Sequence, residues 1–514
     1  MKKIYYAITL LTMLFLGMAA CSKNDVAADS TSTDGTTTTT SSSVTIDSSY
    51  TTGTAEGDTA TGYDEDDLVE SSFTLANTVT ITYGTSVTVS NPLDGNGVTV
   101  TTSGNDVVIT ATVAGVAYNV SGSTSSGSLK IYSDKKYELI LNGVSITSTD
   151  RPAINIQSGK TSFVVLADGT TNTLTDASSY TSLTDGEDAK GALFSEGQLV
   201  FSGSGSLTVN GNYNHAIVSD DYIRIRSGTI TVTSTVKDAI HTNDAFILDS
   251  GTVNLTSADD GVQVDAGYAI VNAGTLTISS KGKGITADNE DEDEDVTPYV
   301  IINGGTINVA SSADEGIESK GILTINDGNL NIKTYDDAIN ASSNIYINGG
   351  RIYAYATNND GIDANGTLTV TGGKIVAIGA SSPEASFDCD ARTFKITGGM
   401  LVGIGGATSG PSSSSTIHSV VMGSGSSNQI IHIEDGSGNE AMTFKAPKSF
   451  STLIYASSKL KASTSYTIYT GGSVSSGVDF NGLYMSGTYS GGTSYTTFTT
   501  TNIVTQVGGS ISKN

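Results

Sequence analysis

Apolar and polar residues alternate along most of this chain. From Phe73 onward the runs read Val79-Thr80-Ile81-Thr82-Tyr83, Val98-Thr99-Val100 and Val107-Val108-Ile109-Thr110. A period of two with β-branched residues puts successive side chains on opposite faces and predicts strands; helical periodicity is nearly absent. A longer rhythm overlies the alternation. Aliphatic anchors recur at Ile217, Ile240, Val262, Ile285, Ile317, Ile339 and Ile362, with gaps of 23, 22, 23, 32, 22 and 23 residues. A glycine two positions before an aliphatic keeps the same beat, as in Gly228 and Ile230, Gly251 and Val253, Gly274 and Leu276, Gly350 and Ile352. A sustained repeat of this length in a strand-rich chain predicts a β-solenoid. The expected fold is all-β, a parallel β-helix with coils of about 22–23 residues, each aliphatic stacking on its equivalent one coil away.

The rhythm also divides the chain. Residues 1–21 read as a lipoprotein signal peptide: Lys2 and Lys3, an apolar stretch over 4–17, then Met18-Ala19-Ala20 before Cys21. That stretch is too short for a spanning helix. Cys21 is the expected lipidation site, which makes the protein a secreted lipoprotein of the outer membrane, exposed on the cell surface and touching the membrane through its lipid alone. Residues 22–72 are rich in Thr, Ser and Gly and are expected to be a disordered tether. Residues 73–130 form an N-terminal β segment and 131–408 the β-helix. Residues 409–514 are expected to be a C-terminal β cap, because an open solenoid end is a sheet edge that needs cover. Long loops break the rhythm at 288–298, which includes the acidic run 290–295, and at 381–385.

Acids outnumber bases by 52 to 25, for a net charge of −27 over 514 residues. Nucleic acid is excluded as a partner, since phosphate binding needs clustered Lys and Arg. Cys389 is the one cysteine left after Cys21 and reads as a small buried apolar residue.

The acids are not scattered. Two positions before the anchor stand His215, Asp238, Asp260, Lys283, Glu315, Asp337 and Asp360. One position after it stand Val218, His241, Gln263, Thr286, Glu318, Asn340 and Asp363, then Asp390 if Cys389 is the next anchor. Three positions after it stand Asp265 and Asp288, among others. Coils about 4.8 Å apart would hold like charges at a cost of on the order of 3 kcal/mol per pair at intermediate dielectric. Calcium, which takes six to eight oxygens, relieves that repulsion. The expected ligands are Glu315, Glu318, Asp337, Asp360, Asp363, Asp388 and Asp390 in one cluster, and Asp260, Asp265 and Asp288 in a second. The four histidines are spread along the sequence, His215 and His241 reading as turn residues, and with no sulfur or histidine cluster zinc and copper are not expected.

Together, the Asp-Asp-Gly-Val type turns, the run Asn303-Gly304-Gly305-Thr306-Ile307, the opening segment from Leu139 to Leu166 and the closing Gly482-Leu483-Tyr484 resemble a known family. It comprises secreted bacterial carbohydrate-binding β-helix proteins with an architecture similar to pectate lyases. The resemblance covers about residues 130–510 and implies calcium and an acidic or cellulosic polysaccharide as partners. The first expectation is a calcium-dependent, surface-anchored carbohydrate-binding protein, with Tyr353 and Tyr355 as candidates for stacking on sugar rings. The alternatives are a polysaccharide lyase, in which Lys283 would be the catalytic base, and a glycan-binding adhesin.

Overall fold

The computed structural model describes residues 40–62, 64–67, 77–181, 183–184, 186–290 and 295–512. Cys21 and residues 291–294 of the acidic run lie outside the described residues. Among the described residues no helix is long and apolar enough to cross a membrane.

Each coil contributes three short strands. In one coil they are Ile317–Ser319, Ile322–Ile325 and Asn329–Thr334; in the next, Ile339–Ala341, Ile345–Ile347 and Arg351–Ala356. The coils pair in parallel and in register, Ile317 on Ile339, Leu323 on Ile345 and Leu330 on Ile352. The anchors Ile217, Ile240, Val262, Ile285, Ile317, Ile339 and Ile362 are fully buried in one continuous core. Burying each such side chain contributes roughly 1.5–3 kcal/mol, which is how a chain without helices gains a core. The turn glycines are required by sterics: Gly251 has φ +91°, and a Cβ there would lie 2.6 Å from the Gly228 carbonyl of the coil below.

The anchor strands form one sheet of 13 strands, from Val98–Ser103 to Phe387–Cys389. This is the carboxylate sheet. The residue after each anchor points away from the core, while the residues on either side of it point in. At the last rung Ile362 pairs with Phe387, Asp363 with Asp388 and Ala364 with Cys389. Phe387 is therefore the anchor, not Cys389, and the register expected for Asp390 is corrected by two residues. The loop at 381–385 supplies the shift.

The last coil is closed by antiparallel pairing of Met400–Gly405 with Thr452–Ser457. Beyond it lies a seven-stranded sheet over a second core that includes Ile433, Met442, Phe444 and Ile468. One strand of that sheet comes from the other end of the chain: Val44–Asp47 pairs with Leu483–Ser490. The expected free tether is thus corrected over 40–62: residues 44–47 join that sheet, and residues 56–61 lie on the solenoid. A ladder of side-chain amides clips it there. Asn348, Asn326, Asn303 and Asn272 donate to the carbonyls of Glu56, Asp58, Ala60 and Thr61 at 2.7–2.9 Å. Arg224 also holds the Asp67 carboxylate at 3.0 Å.

Candidate functional site

The carboxylate sheet repeats one arrangement. The residue two before an anchor, its equivalent on the next coil and the residue after that next anchor converge in a slot on the outer face. Three slots carry chemistry: His215, Asp238 and His241; Lys283, Glu315 and Glu318; and Asp337, Asp360 and Asp363.

The aspartates two before an anchor have a structural task that the sequence does not announce. Asp238 Oδ1 accepts the Asp260 N–H at 3.0 Å, Asp260 Oδ1 accepts the Lys283 N–H at 2.6 Å, and Asp337 Oδ1 accepts the Asp360 N–H at 2.8 Å. Asp360 Oδ1 accepts the N–H of Ala385. Each ties its turn to the next coil with one oxygen, so one oxygen remains for other chemistry. Asx hydrogen bonding at turns supplies the physical reason these positions favour Asp.

In the middle slot the chain neutralises itself. Lys283 Nζ lies 3.2 Å from Glu318, 3.5 Å from Glu315 and 3.8 Å from Asp314. Lys320 also pairs with Glu318, which is only 1% exposed and accepts the Thr286 hydroxyl at 3.1 Å. Burial pulls Lys283 down, but Glu318, Glu315 and Asp314 outweigh it and hold the ammonium protonated. Glu318 is therefore satisfied by lysines, and a Lys283 kept charged cannot accept a proton as a base. Glu315 Oε2 is buried and has the Lys283 ammonium at 3.5 Å but no hydrogen bond of its own, and Asp314, Glu315 and Asp336 bring one oxygen each within 4.8 Å of one another. Burial, then a hydrogen bond to Asp314, push the Glu315 carboxyl up.

The C-terminal slot has no such cation. Among the described residues no salt bridge reaches Asp337, Asp360, Asp363 or Asp388. Asn340 donates to Asp363 Oδ2 at 2.9 Å and to Asp337 Oδ2 at 3.3 Å. Asp360, Asp363 and Asp388 place one oxygen each within 4.8 Å of one another. Burial first, then the neighbouring carboxylates, raise Asp337 to about 8 and Asp360 and Asp363 to about 7. Two oxygens bound to one calcium stand at most about 5 Å apart, so an all-oxygen trio of this size fits that ion.

The other expected ligands separate. Asp390 is exposed, off the slot register. Asp260 groups with Asp238 and Asp259, and burial followed by the Asp238 charge raises it to about 7. Asp265 Oδ2 instead lies 3.1 Å from His241 Nε2, and Asp288 Oδ1 accepts the Asn289 N–H at 2.7 Å. The second cluster as expected is not brought together. The reading of His215 and His241 as turn residues is corrected too: their rings meet, with centroids 4.1 Å apart and planes tilted by 31°. Sequence spacing hides this, because one stands before its anchor and the other after the next. Tyr353 is corrected as a stacking platform: it is 6% exposed, packed in the second core. Tyr355 packs against the same core with Lys448 over its ring at 5.7 Å. The tyrosine that does offer a ring beside the acids is Tyr335, 47% exposed, immediately before Asp336 and Asp337.

Comparison with known proteins places these features in context. A family described as carbohydrate-binding domain-containing proteins matches residues 94–361, 267–391 and 300–465. A carbohydrate-binding domain-containing protein of Acetivibrio thermocellus is 36% identical over 112 residues, 21% of this chain and 39% of that protein. The chain thus matches about two fifths of the length of this curated relative. A solved structure described as the polysaccharide lyase-like protein from C. thermocellum, gadolinium derivative, is 24% identical at a TM-score of 0.34, covering 58% of this chain and 93% of that chain.

Proposed function

Because the chain belongs to the family of carbohydrate-binding domain-containing proteins, whose role is carbohydrate binding, we propose that it binds an acidic polysaccharide through calcium at the C-terminal end of the carboxylate sheet. The observation that carries this reading is the group Asp360, Asp363 and Asp388: three partly buried carboxylates within 4.8 Å and no side-chain cation against them. Asp337, Glu315, Asp314 and Asp336 extend the same face. Calcium bound there supplies positive charge that a uronate carboxylate can share. The chain's own residues set the register: coils repeat along the solenoid as sugars repeat along a polymer, and Tyr335 presents a ring face beside the acids. The ammonium of Lys283, locked among carboxylates, favours binding over β-elimination. Lipidation at Cys21 would hold this face at the cell surface.

Calorimetric titration of calcium into EDTA-stripped protein, followed by retention on polygalacturonate with and without calcium, tests the reading. Saturable calcium heat and calcium-dependent retention are expected. Retention that is equal in EDTA would remove calcium from the account, and no retention on any acidic polysaccharide would remove the ligand class.

A further inference from the structure

The slot nearest the N-terminal end of the acidic column is the one that hard-oxygen chemistry does not explain. We propose that His215, Asp238 and His241 form a binding site for a divalent transition ion of the zinc class, separate from the carboxylate groups of the calcium reading. The geometry is that of converging ligands. Asp238 Oδ2 stands 2.9 Å from His215 Nδ1 and 3.0 Å from His241 Nδ1, and the three ligand atoms lie within 4.8 Å of one another. Ligands at about 2.0–2.2 Å from a shared tetrahedral zinc are themselves about 3.3–3.6 Å apart, so these atoms need to open by only a few tenths of an ångström around an ion.

Two further observations separate this group from an ordinary histidine–aspartate contact. First, His215 is 5% exposed, and its Nδ1 has no hydrogen-bond partner despite the short approach to Asp238. A buried ring nitrogen aimed into a group of donors without a bond of its own is the atom a metal ion satisfies. Second, the outer contacts needed to aim the ligands exist. His241 Nε2 lies 3.1 Å from Asp265 Oδ2, which fixes the ring so that Nδ1 faces Asp238. Asp265 is held in turn by Gln263 Nε2 at 3.3 Å. Asp238 is held by the Asp260 N–H. Two imidazoles and one carboxylate suit zinc and its neighbours and are a poor set for calcium. His241 keeps a side-chain edge in solvent, 16% exposed, which gives the ion a way in. The corresponding positions in the next charged slot hold Lys283, Glu315 and Glu318, where an ammonium does the neutralising.

The test uses the purified chain with calcium saturating. Zinc chloride is titrated calorimetrically and cobalt chloride followed by visible absorption. One zinc per chain, undisplaced by excess calcium, is expected. His215→Ala and His241→Ala should each weaken zinc at least a hundredfold, and Asp265→Asn, acting through the ring, about 10–100-fold. The calcium-induced rise in melting temperature should persist in all three, which separates failure here from failure of the calcium reading. If either histidine variant does not fold, proton spectra of the cobalt-loaded wild type decide, with two shifted imidazole N–H signals expected. Absence of zinc heat, displacement of zinc by calcium, zinc affinity unchanged in both histidine variants, or no shifted imidazole signals would each overturn the site.

Discussion

The slot at Lys283, Glu315 and Glu318 and the slot at Asp337, Asp360 and Asp363 occupy the same three positions of successive coils, and only the first carries its own cation. In the first, an ammonium within 3.5 Å of two glutamates makes burial of charge self-sufficient. In the second, the same backbone holds three carboxylates whose affinity for protons is raised. The difference teaches that the solenoid can stack acids in two ways: by supplying its own lysine, or by raising the affinity of the carboxyls for protons.

The largest expected effect follows from titration. In EDTA, the carboxyls at Asp337, Asp360 and Asp363 sit at about 8, 7 and 7 in the fold, above the usual carboxylate value near 4. Folding then takes up protons between those values, so stability is greatest at low pH and falls as pH rises from about 4 to 8. Each carboxylate titrating alone would contribute about 1.4 kcal/mol per pH unit. Melting curves in EDTA should therefore move up from pH 8 to pH 5, and calcium should flatten the slope; a calcium-free profile that rises with pH would contradict it.

Next comes removal of the internal cation. Lys283→Met leaves buried Glu318 with Lys320 alone and should cost about 3 kcal/mol in urea unfolding, part of which calcium restores as the slot comes to resemble its C-terminal counterpart. Unchanged stability would mean that Lys283 neutralises nothing. Asp363→Asn is the converse. In EDTA it should be no less stable than the parent, while in calcium at a hundredfold excess over the dissociation constant it should forgo up to about 2.7 kcal/mol of linked stabilisation. Calorimetric scans that shift equally with calcium in both proteins would break the comparison. The smallest effect is expected at Tyr335→Ala: retention on polygalacturonate weaker by about 1 kcal/mol, with the melting temperature unmoved.

Much of this was legible in the sequence, for reasons that particular residues show. Ile217 through Ile362 give the coil and its handling of the core, because a period of about 23 residues, sustained, has few other physical meanings. The acidic columns follow from the same register. What the spacing could not give is which oxygen does what. Asp337 and Asp360 are partly turn fasteners, a task fixed by backbone geometry. Glu318 meets Lys283 only because positions before and after an anchor converge between coils, and His215 meets His241 by the same diagonal. Asp388 displaced Asp390 because the 381–385 loop resets the count. The Thr- and Ser-rich segment looked like a tether because its own side chains are polar. Its order on the solenoid comes from asparagines that lie more than 200 residues away.

That last contact has a consequence for how the molecule is assembled. Coils close on neighbours about 23 residues distant and can wind as the chain lengthens. Val44, by contrast, must wait for Tyr489. The strand Val44–Asp47 is therefore docked only once Leu483–Ser490 has been made, and protease resistance over residues 44–47 becomes a readout of whether that far strand has been completed.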